Sequence, residues 1–173
     1  MRLTSIKLND FRDLYLYQLK DLYYTENQII EAMPKMIEAA TSTELQSAFR
    51  THLEQTKSQR QRLEKIFGRL NMEPEEEKSS AAAGLIDDGS YMVKADGDPA
   101  VRDAGLIAAA QRIEHYEMAG YGCARTYAHR LGFHEDANVL QKILDEEGQT
   151  DKKLTALAES HINAEAQHAT RRY

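Results

Sequence analysis

The chain has 173 residues, 42% hydrophobic and 29% charged, which is enough for one domain with a real core and ordinary for a protein in water. Its 22 basic and 28 acidic residues leave a net charge of −6 spread along the chain, arguing against nucleic acid or an acidic membrane as partner. A single cysteine, Cys123, excludes an intrachain disulfide and a thiolate metal cluster. It fits a reducing compartment, and no stretch approaches the roughly 18 apolar residues of a membrane span. The first ten residues lack the apolar run of a signal peptide, so a cytoplasmic protein is the expectation.

Helix-favouring residues dominate nearly everywhere. The first helix is expected from about Thr4–Asn9 to Ala40, with Pro34 kinking it or splitting off its last turn. Thr41, Ser42 and Thr43 form a connector in which Ser42 or Thr43 can cap a second helix ending near Asn71. Residues 71–98 break the apolar pattern and carry Asp-Gly and Gly-Asp pairs, which reads as a long crossover with room for a short helix over 81–94. Asp98-Pro99 is a strong start for a third long helix running to Arg130. Gly132 ends it, and a fourth helix follows to about Asn163. The domain therefore spans 1–163, and residues 164–173 are expected to fray. Two helical hairpins joined by one long link predict a four-helix bundle of ferritin-like topology, the link serving to join parallel neighbours.

The helical phase places acids where core residues belong. Ile107, Ala110, Glu114, Glu117, Tyr121 and Ala124 recur at spacings of three and four, so Glu114 and Glu117 lie on a buried face. Leu140, Leu144, Glu147, Asp151 and Leu154 repeat the pattern in the fourth helix, and Leu22, Glu26, Ile29 and Met33 in the first. Ionised carboxylates in a core are costly and repel one another, so they either hold protons or surround cations. A pair of divalent ions answers that conflict, since iron and manganese prefer oxygen and imidazole ligands. The second helix offers Glu54 and His52. A turn of about 100° per residue sets Glu54 roughly opposite the Leu45–Leu63 face, which His52 and Thr56 fit better. Tyr121, one turn from Glu117, is a core aromatic by default and also placed to hydrogen-bond a ligand.

The segments Tyr24-Thr-Glu26-Asn-Gln28, His52-Leu-Glu54-Gln-Thr56, Ala109-Ala-Gln-Arg-Ile-Glu114-His-Tyr-Glu117 and Leu144-Asp-Glu-Glu147-Gly-Gln-Thr-Asp151 resemble the YciF family of bacterial stress proteins. That family is described as ferritin-like and close to rubrerythrin. The resemblance implies a di-iron centre, with manganese as an alternative, on Glu26, Glu54, Glu114, Glu117, Glu147 and Asp151. Lys57 and Asp151 stand where the rubrerythrin pattern has histidines. The chain also lacks the Cys-x-x-Cys pairs of a rubredoxin-type iron, which excludes a peroxidase cycle fed by such an iron. The implied chemistry is oxidation of ferrous iron or consumption of peroxide, with dioxygen or peroxide as the small substrate and a homodimer as the expected assembly. The alternative is a non-enzymatic structural stress protein without a working metal centre.

Overall fold

The computed structural model describes residues 6–169, and every regular element among them is helical. The helices are α1 (Phe11–Ala39), α2 (Thr43–Arg69), α3 (Ser80–Val93), α4 (Pro99–Arg130) and α5 (His134–Leu157). A π-helical turn (Ala158–Ile162) then leads into α6 (Asn163–His168). Their boundaries follow local chemistry. Asp10, Ser42, Ser79 and Asp98 each cap a helix by accepting a backbone N–H of its first turn, and Pro99 fills the first position of α4. Gly132, at φ 81°, closes α4 with the Phe133 amide returned 2.9 Å to the Ala128 carbonyl. Asn71, at φ 57°, does the same for α2 through Met72 and Phe67.

Helix α1 runs continuously through Pro34 to Ala39, so its last turn is not split off. Residues 163–168 are helical and pack on α4, whereas 170–173 lie outside the described residues. Buried Ile162 anchors the turn that precedes this helix in the core.

The short connection at residues 40–42 makes α1 and α2 antiparallel, and the one at 131–133 does so for α4 and α5. The two hairpins pack with α1 against α4 and α2 against α5. Both pairings are also antiparallel. Phe11 stacks edge-on against Tyr127, Tyr116 donates 2.7 Å to Asp21, and Asp103 sits at the α1–α2 turn. On the other side Arg69 reaches Asp136 while Gln59 reaches Glu147. The parallel helices α2 and α4 are consequently diagonal, and the 70–98 link, with α3 in it, spans that diagonal. It does not join parallel neighbours, because every adjacent pair of long helices is antiparallel. α3 packs on α1 and α4, tied at its start by the Ser79 hydroxyl 2.8 Å from the Tyr116 hydroxyl.

The core is divided into three layers. One apolar cluster gathers Tyr15, Leu19, Leu22, Leu63, Phe67, Ala124 and Leu140 toward one end. A second gathers Ile29, Met33, Leu45, Phe49, Leu106, Ile113 and Leu154 toward the other. Between them every long helix contributes buried polar groups: Glu26 from α1, His52, Thr56 and Gln59 from α2, Glu114 and Glu117 from α4, and Glu147 from α5.

Candidate metal centre

Each polar residue of the middle layer arises from an apolar stripe whose phase continues through it. In α2 the buried positions Leu45, Phe49, His52, Thr56, Gln59, Leu63 and Ile66 repeat at three and four, so His52 and Gln59 replace apolar residues without turning the helix. In α4 the same holds for Ala110, Glu114, Glu117 and Tyr121, and in α5 for Leu140, Ile143, Glu147 and Leu154.

His52, Glu114, Glu117 and Glu147 come together so closely that one donor atom of each lies within 4.8 Å of all the others. Glu26 adjoins this group. It accepts a hydrogen bond from the buried Tyr121 hydroxyl, and its pKa feels the charge of Glu147. Gln59 donates its amide to Glu147 and reaches Glu146 at 3.2 Å. His52 Nε2 lies 3.1 Å from Glu114 Oε1, without the alignment of a hydrogen bond. The layer therefore leaves many donors unmatched. Glu26 Oε2, both oxygens of Glu114 and of Glu117, Glu147 Oε2 and both His52 nitrogens are buried with no hydrogen-bond partner. Native proteins carry only a few such atoms per hundred residues, and here they crowd into one layer.

Burial decides the protonation of this layer. It raises Glu26, Glu114 and Glu117 well above the usual carboxylate range, with the charge of Glu147 as the next contribution in each. Glu147 is pushed up to about 7, burial and the charge of Glu146 outweighing the support of Arg62 and Gln59. Burial lowers His52 to about 4, so its imidazole is neutral at pH 7. Tyr121 is raised further above its ordinary value by burial and then by Glu26 and Glu117, which keeps it a donor.

Two residues expected in the centre are elsewhere. The Glu54 side chain is 71% exposed and pairs with Lys57 at 2.7 Å. It lies half a turn from the buried stripe, as its phase implied, and His52 takes the place on α2 that the family pattern gave to Glu54. Lys57 points outward with it, so its ammonium does not enter the layer. Asp151 stands at the rim, its side chain 18% exposed, where Gln111 donates 2.9 Å to it and His115 Nε2 lies at 3.3 Å. It acts on Glu114 only through its charge. The step from Glu147 to Asp151 overshoots a full turn by about 40°, enough to rotate the side chain from the interior toward the α4 surface. Gln59, absent from the sequence-based expectation, could have been found seven residues after His52 on the same stripe. Such neutral amides attract no attention because they carry no charge conflict.

The donor set fits a transition metal. Carboxylate oxygens and an imidazole suit iron and manganese, and the unmatched atoms are those that coordination would satisfy. With Glu54 and Asp151 outside, four carboxylates and one neutral imidazole remain, whose charge two divalent ions would balance.

The fold and this layer define a class: all-helical proteins with a cluster of acids and one histidine sealed at mid-height between two apolar cores. Residues 10–167 match the family described as a domain of unknown function (DUF892), and the chain belongs to that family. Over 164 residues it is 36% identical to the protein YciF of Escherichia coli strain K12, covering 94% of this chain and 99% of that protein. The crystal structure of that protein, described as a stress protein, aligns with a TM-score of 0.86 at 37% identity, over 90% of this chain and 99% of the other. YcfI of Rhodopseudomonas palustris, described as a candidate structural protein, aligns with a TM-score of 0.83 at 37% identity, over 90% and 98%. A Xanthomonas campestris protein at 21% identity shares the fold, with a TM-score of 0.73 over 90% and 95%. Among the described residues no helix is long and apolar enough to cross a membrane.

Proposed function

We propose that this chain is a ferritin-like four-helix bundle with one long crossover, holding a pair of divalent ions, iron or manganese, on Glu26, His52, Glu114, Glu117 and Glu147. The observation that carries the reading is the sealed layer of unmatched carboxyl oxygens and imidazole nitrogens. Glu114, Glu117 and Glu147 share one locus with His52, while Glu26 extends it toward Tyr121. The bound ions would supply reversible one-electron chemistry toward dioxygen or peroxide, making the protein a ferrous-iron oxidase or peroxide scavenger of a stress response. The chain's own part is to surrender the carboxyl protons, hold His52 neutral, orient Glu26 through Tyr121 and Glu147 through Gln59, and keep bulk water out. A cytoplasmic homodimer completes the proposal.

The test is to load the purified protein anaerobically with ferrous iron, quantify bound metal, and then add peroxide. Bound iron and a rise in near-ultraviolet absorbance are expected. No bound iron in the wild-type protein would overturn the reading. A second reading, a non-enzymatic structural protein with protonated acids, draws support from the description of YcfI. It requires that the melting temperature not respond to metal, whereas a ligand bound only by the folded state must raise it.

A further inference from the structure

Between α2 and α5 a small cavity of about 10 Å³ is lined by Ala48, Phe49, Thr51, His52, Gln55, Glu114, Thr150, Lys153 and Leu154. Its buried lining includes His52 and Glu114, both of which carry unpartnered side-chain atoms. Its lip consists of exposed Thr51 and Lys153 with half-buried Gln55 and Thr150. The volume is close to that of one water position. Half-buried Gln55 and Thr150 thus line the cavity between its buried residues and the exposed Thr51 and Lys153.

The neighbouring α4–α5 edge is closed differently. There Gln111 donates to Asp151 at 2.9 Å and to the Thr155 hydroxyl at 2.8 Å, tying α4 to α5. A cation arriving at that edge would meet an acid already occupied by an amide and an imidazole. Through the α2–α5 gap it would meet two unoccupied donors directly.

We propose that the gap bounded by Thr51, Gln55, Thr150 and Lys153 is the passage by which divalent cations reach the buried layer, with His52 and Glu114 as the first donors they touch. The passage admits an ion only after it has shed most of its water, so outward rotation of Gln55 or Thr150 sets the rate. The Lys153 ammonium repels the incoming charge and slows capture. This inference rests on the metal reading above.

The test follows uptake of cobalt(II) by the chelator-stripped full chain through its visible absorbance, with equilibrium metal content measured separately. Thr150→Trp and Gln55→Trp should each slow uptake on the order of tenfold, with equilibrium content and helical circular dichroism unchanged. Lys153→Glu should speed it about threefold at 0.01 M ionic strength, and the gain should fade at 0.15 M, where the screening length is about 8 Å. At 0.15 M ionic strength, where its rim charge is largely screened, Asp151→Asn should leave the rate unchanged. Unchanged rates in both tryptophan variants, or slowing by Asp151→Asn alone, would overturn the passage while leaving the metal reading intact. Wild-type protein that takes up no cobalt at equilibrium would overturn both.

Discussion

Replacing Glu147 by Gln tests the acid layer most directly, because the sign of the effect depends on whether metal is present. In the unfolded chain this carboxyl titrates near 4.5, and in the fold burial pushes it up to about 7. The folded state thus holds the proton more tightly. Its contribution to stability is complete below pH 4.5 and is lost as pH rises through about 7, a loss of about 3 kcal/mol. Glutamine cannot ionise and still offers an oxygen to the Gln59 amide. In protein stripped with a chelator, the stability of Glu147→Gln relative to wild type should therefore grow from near zero at pH 4.5 to about 3 kcal/mol above pH 7. Urea titrations followed by circular dichroism across this range provide the measurement. With saturating manganese or cobalt the order should invert, since coordination needs the ionised carboxylates and the variant has one fewer. A gap that does not change with pH in stripped protein would refute the placement of Glu147 as a proton-holding buried acid. A variant stabilised by metal as much as wild type would refute its role as a ligand.

His52 has the opposite sign: burial lowers it to about 4, so its share of stability is full above pH 6.5 and lost as pH falls toward 4, and His52→Gln should shrink acid sensitivity in that window as read by melting temperature. Glu54→Gln should leave metal content unchanged and shift stability by less than about 0.5 kcal/mol, because that side chain lies in solvent and its pairing with Lys57 is exposed. Asp103→Ala should cost about 2–4 kcal/mol in urea unfolding. The buried carboxylate accepts from the Thr41 amide at 2.9 Å, the Ser42 amide at 2.7 Å and the Thr41 hydroxyl at 2.8 Å, and so ties the α1–α2 turn to α4. Gly120→Ala should lower the melting temperature despite the better helix propensity of alanine. Its Cβ would lie 2.8 Å from Leu22 Cδ2 and 3.3 Å from Gln18 Nε2, and Leu22 is fully buried.

The helices and the acid layer were legible because their signals are periodic. Glu26, Glu114, Glu117 and Glu147 each interrupt an apolar stripe without shifting it, and no surface helix need do that. Asp98, Pro99 and Gly132 likewise mark their boundaries by local chemistry that tertiary packing has no reason to override. Glu54 lies outside because the phase of this helix, and not the pattern of the resemblance, decides that His52 faces inward. Asp151 stands at the rim for a subtler reason. A residue about 40° off a stripe is inside or outside according to the neighbouring helix, and here Gln111 and His115 draw it to the rim. The diagonal course of the 70–98 link was hidden because connection length says how far the chain travels, not which corner it reaches.

Each hairpin owns only part of the donor set, Glu26 and His52 on one side and Glu114, Glu117 and Glu147 on the other. Neither half alone has the whole donor set, so a captured ion would act as a rivet between halves already packed through both apolar clusters. Chelation should therefore first loosen the seam between the hairpins, leaving each hairpin's own turn in place, and amide exchange should be fastest along the α1–α4 and α2–α5 contacts.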